Sequence, residues 1–125
     1  MDSSDNFDEY GNFKKINWDT QSTPRFWFNG DPLLTYFGNV YVVVTAEVER
    51  FTIAVTKQLI TEIKDEKLKE ALEVFINEEC AHAYQHSCVT NHLKQHKYPL
   101  GFIGKCAKFF FKLCLKIMHM TKLTD

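Results

Sequence analysis

Glu79, His82 and His86 are three metal-ligand residue types placed three and then four positions apart. On a helix that spacing keeps all three on one face. Glu79 and His82 would sit about 5–6 Å apart at Cβ, close enough to share one ion. His86 would follow one turn later. The seam through them reads Leu68, Leu72, Phe75, Glu79, His82, His86, Val89 and Leu93, in steps of four and three. A stripe at that spacing is what a helix buries against its neighbours. An ionised carboxylate and two imidazoles there would cost several kcal/mol, of order 3–5, unless paired or metal-bound. A divalent cation removes that cost. The competing reading is a polar seam packed on water or on another polar helix.

A single helix cannot complete a site. Upstream, Glu49 falls on the stripe Val42, Ala46, Ile53 and Ile60. There it is either a further ligand or the edge of a solvated face shared with Arg50; Glu47 is the weaker candidate. Carboxylate-bridged two-metal sites in four-helix bundles use one Glu from each of two helices and a Glu-x-x-His from each of the other two. Glu49 with Glu79 and His82 makes half of that set. Two copies of the chain in a homodimer would supply the whole. His and carboxylate donors without thiolate suit iron, manganese or zinc. His92 and His96, four apart and near Cys88, read as solvated residues off the main seam.

Three elements must position these residues, and the expected fold is all-α. Asn29-Gly30-Asp31-Pro32 offers a turn, an N-cap and a proline suited to the first helical position. The run 33–64 is rich in β-branched residues, and Phe51 to Thr56 alternates as a strand would. It runs far longer than a strand, without a proline after Pro32, and is read as a buried helix. A clearer helix spans 66–97, with Asp65 as N-cap and Pro99 beyond its end. Residues 98–104, with Pro99, Gly101 and Gly104, read as a loop. A third, shorter helix over 105–120 carries apolar residues on one face and Lys105, Lys108, Lys112 and Lys116 on another. Residues 1–24 are polar and without period, and read as a loose arm anchored by Phe13 and Trp18. Residues 25–125 form the helical metal-binding domain.

The chain has 125 residues, 45% of them hydrophobic, and a formal net charge of −1. That length suits one domain with a real core. The charge gives no reason to expect nucleic acid. The acidic N-terminus lacks the apolar core of a secretory signal, and no apolar run is long enough to span a membrane. The four cysteines form no C-x-x-C pair, so a reducing, cytoplasmic setting is expected. Contact of the Phe- and Lys-rich segment 105–120 with a membrane surface is a less favoured reading. Nothing in the sequence names a substrate.

The segment Phe75-Ile76-Asn77-Glu78-Glu79-Cys80-Ala81-His82-Ala83-Tyr84-Gln85-His86 resembles the bacterial family of predicted metal-dependent hydrolases, whose pattern reads F-I-x-Q-E-x-x-H-x-x-x-H. Trp27, Gly30-Asp31-Pro32 and Thr35 look like that family's lead-in. Glu49-Arg50-Phe51 falls where the family has G-E-x-F-F, and Asp65 to Leu68 looks like its D-P-x-L turn. The likeness covers roughly residues 25–97. It implies a ferritin-like half-bundle of two long antiparallel helices plus a shorter C-terminal one. It also implies a di-metal site, di-iron among the options, with Glu49, Glu79, His82 and His86 as ligands of a divalent metal. The activity implied is hydrolytic; the ligand set equally resembles di-iron oxygenases and oxidases. This chain departs from the pattern at Thr45-Ala46-Glu47-Val48-Glu49, where the family has F-P-x-G-E, and at Glu78, where it has Gln. Members run to about twice this length, so the chain reads as a truncated form, and a non-catalytic helical interaction module is the remaining alternative.

Overall fold

Asp31 stops the preceding turn and starts a helix in one step. Its carboxylate accepts the backbone N–H groups of Leu33 and Leu34 at 2.8 and 2.9 Å, and Pro32 follows with no N–H to satisfy. The computed structural model describes residues 23–122, so all but the last two positions of the expected arm over 1–24, Phe13 and Trp18 included, lie outside it. Three helices follow: α1 over Pro32–Leu59, α2 over Glu66–Gln95 and α3 over Gly101–Lys122. The fold is all-α, as expected, and the described residues hold helices and turns alone.

The β-branched run belongs to α1, so strand propensity does not decide its form. The expected buried helix is buried along one stripe only, Thr35, Asn39, Val43, Ala46, Glu49 and Thr56, because α2 and α3 cover only part of its circumference, and Tyr41 and Val48 are exposed. Asp65 caps α2 by accepting the N–H groups of Lys67 and Leu68, again as its position implies. Lys97 ends α2 in the left-handed region at φ 57°. The expected loop 98–104 is shorter than read, because α3 begins at Gly101 and takes in Gly104. Gly104 serves packing: a Cβ there would meet Val43 Cγ1 at 3.3 Å.

α1 is the central element. It runs antiparallel to α2, since Val43 packs near Leu93 and Arg50 reaches Ser87. It runs parallel to α3, with Gly104 against Val43 and the rings of Phe51 and Phe111 5.3 Å apart. Both flanking helices pack on α1 and not on each other. Val43, Leu93 and Leu100 form the core, with Trp27, Tyr36, Val40, Val89, Tyr98 and Ile103 around them. Trp27 is pinned by donating Nε1–H to the buried Asn39 Oδ1 at 2.8 Å, and its ring lies over Gly38. None of the described helices is long and apolar enough to cross a membrane.

Candidate metal centre

Glu49 points from α1 toward α2 and is 7% exposed. Antiparallel packing sets it opposite the middle of α2, where Glu79, His82 and His86 follow one another along the helix. His86 Nε2 lies 3.3 Å from Glu49 Oε1, and His82 Nδ1 lies 3.8 Å from Glu79 Oε1. One donor atom each from Glu49, Glu79 and His82 falls within 4.8 Å of the others. Bonds of about 2.0–2.2 Å to a shared ion need donors roughly 3–4.5 Å apart, so small rotations close the set. The residues fit a divalent cation on a second count: Glu49 Oε2 is buried with no hydrogen-bond partner.

Electrostatics point the same way. Burial first, and the Glu79 carboxylate second, push the Glu49 carboxyl from 4.5 up to about 7, with Arg50 pulling against them. Burial, then the neighbouring His82, lowers His86 below the usual imidazole range, which keeps it neutral with a lone pair to give. The cluster thus holds a carboxyl that resists ionisation and an imidazole that resists protonation. A cation reverses the first and exploits the second.

Of the four expected site residues, Glu49, Glu79 and His82 converge, and His86 lies against Glu49 outside that converging group. The burial of the seam differs from expectation. The most buried positions of α2 are Ile76, Ala83, His92 and Leu93, whereas the His82 side chain is 48% exposed and Leu68 is 47% exposed. The cause is that α2 has α1 alone as a neighbour, so the face it buries is narrower than a seam shared by two helices. The cluster therefore opens to solvent on the His82 side. His92 also departs from expectation. It is 6% exposed with neither ring nitrogen bonded, and its ring stands 5.2 Å from that of His96.

Arg50 has a role the sequence reading missed. It donates to Glu47 at 2.6 Å and to the Ser87 hydroxyl at 2.7 Å, clamping α1 to α2 beside the cluster. The i, i+3 spacing of Glu47 and Arg50 signals half of this clamp; Ser87 becomes visible only once the helices are docked. Glu47 is thereby engaged by Arg50, and it lies outside the group whose donors converge.

No curated protein and no solved structure matches the chain. A sequence model of one family does, over residues 12–124, most of the chain. With that match and a Glu/His cluster able to hold a metal, the chain belongs to the predicted metal-dependent hydrolase family.

Proposed function

We propose that the chain is a metal-dependent hydrolase whose divalent ion, iron, manganese or zinc, is held by Glu49, Glu79, His82 and His86. The observation that carries this is the buried Glu49 carboxylate, with Oε2 unpartnered and Oε1 3.3 Å from His86 Nε2, in a residue whose donors converge with those of Glu79 and His82. A bound divalent ion would supply Lewis acidity and a water of lowered pKa. Glu49 and Glu79 contribute charge and orientation. Uncharged His86 leaves Nε2 free to donate its lone pair. His82, half-exposed, forms the side of the site that solvent and substrate reach. Arg50 keeps α1 and α2 in register across Ser87, so the donors stay converged.

The donors of one chain make half the set used by ferritin-like two-metal bundles, and a second copy would supply the other half. Homodimer formation is part of the proposal for that reason. Elemental analysis of protein purified without chelator tests the metal reading. We expect about one ion per chain and a loss of most of it in Glu79→Ala, since ligand removal typically costs at least the ~10–100-fold seen for supporting residues. Equal metal in both proteins would remove the site.

A further inference from the structure

α1 also carries a second concavity, which meets the metal centre at the Arg50–Ser87 clamp and runs away from it. Because α2 and α3 do not touch, α1 is left as the floor of a groove of about 320 Å³ between them. That is the small end of the ~300–1,000 Å³ usual for ligand pockets. None of Glu49, Glu79, His82 and His86 lines it.

The groove is polarised along its length. Val43, Ala46 and Leu100 make one end apolar, and each is buried. Gly101 and Gly104 leave the wall of α3 bare there; a Cβ on Gly101 would meet nothing within 4 Å. Toward the other end stand Arg50, Lys105 and Lys108, with Lys94 on the α2 rim. The one carboxylate in the lining is Glu47, which is already engaged by Arg50. Lys94 is tethered to Asn91 at 2.8 Å. Lys105 and Lys108 have no ion-pair partner among the described residues. A chain of net charge −1 thus gathers four cations and one acid around one apolar trough.

We propose that this groove binds a small amphiphilic anion: an alkyl chain lying on Val43, Ala46 and Leu100, with a carboxylate or phosphate-monoester head at Lys105 and Lys108. Charge complementarity selects the head, and the dry floor selects the tail. A bare anion would leave the apolar end empty, and a neutral alkane would leave the lysines unpaired.

Calorimetric titration of the 125-residue chain, in chelator so that no bound metal contributes, tests this directly. The probes are octanoate, octyl phosphate, 1-octanol and inorganic phosphate. Saturable one-to-one binding is expected for octanoate and octyl phosphate, at least about tenfold tighter than for octanol or inorganic phosphate. The tighter of the two binders identifies the head group. Reversing charge in Lys105→Glu/Lys108→Glu should weaken octanoate by about tenfold and leave octanol unchanged. Gly101→Trp should abolish both by filling the trough, with far-ultraviolet circular dichroism confirming helicity. Octanol binding as tightly as octanoate, phosphate alone binding as tightly, or no saturable binding of either amphiphile would each overturn the proposal. The ligand comparison needs only the unaltered chain, so a misfolded variant does not remove the test. Since chelator is present, failure here leaves the metal reading untouched.

Discussion

Glu49 sits where a proton and a cation compete for the same buried carboxylate. Its folded pKa of about 7 lies above the ordinary 4.5, so between these values the folded chain binds more protons than the unfolded one. Stability without metal therefore falls as pH rises from about 4.5 to 7 and then levels off. A gap from 4.5 to about 7 corresponds to roughly 3 kcal/mol. Glu49→Gln keeps the shape and removes the charge. The metal-free variant should be more stable than the parent by about 1–3 kcal/mol at pH 8 and nearly equal to it at pH 5, measured by urea denaturation. The same variant should lose metal binding. In the parent, metal affinity should decline as pH drops below about 7, because the ion must displace the Glu49 proton. An unchanged stability difference between pH 5 and 8 would contradict this account. Glu79, His82 and His86 were legible because one helix carries them and spacing alone sets their face. Glu49 needed the register of a second helix, which is why the sequence left it between ligand and solvated edge. The Arg50–Ser87 clamp spans 37 residues, beyond any local pattern.

Local signals at the helix starts were direct because a cap is a contact between near neighbours. Asp31 and Asp65 each meet amides two and three residues ahead, so residue type and position suffice to place them. Glycine was harder to read. Gly101 and Gly104 look like loop residues, yet both lie in α3, where Gly104 serves close approach to α1. Gly38 illustrates the same use with a testable consequence. A Cβ at Gly38 would fall 2.8 Å from Trp27 Cζ2 and 2.9 Å from Cη2. The indole cannot easily yield, because its Nε1–H is bonded to Asn39. Alanine gains about 1 kcal/mol over glycine in helix propensity, but overpacking costs about 1–3 kcal/mol. Gly38→Ala should thus be net destabilising by about 1 kcal/mol in chemical denaturation, opposite to the usual sign for this change in a helix. A stabilised variant would mean that the Trp27 ring does not rest on α1 as described.

At the scale of the molecule, α1 is covered by α2 on one flank and α3 on another, and the rest of its surface carries large apolar residues. Tyr41 is 68% exposed, and Val48 and Leu59 are also exposed. α3 adds Phe102, Phe109, Phe110 and Ile117, all exposed. Exposed apolar side chains recurring along two helices are what a second copy of the chain would cover. The sequence showed that these residues are apolar but not that they lack a partner, because periodicity cannot report how many neighbours a helix has. The same shortage of neighbours leaves His82 open. Pairing two chains across this side of α1 and α2 would cover apolar surface and bring a second Glu49, Glu79 and His82 toward the first. Light scattering on chromatographed protein should then give the mass of two chains. Val48→Glu places a charge beside Glu49 on the exposed side of α1. It should shift the mass toward one chain and lower metal content in parallel, while helicity is retained. Two ions bound per chain in a monomer would show that one copy completes the site alone. Dissociation of the variant with full metal retention would separate the interface from the metal centre.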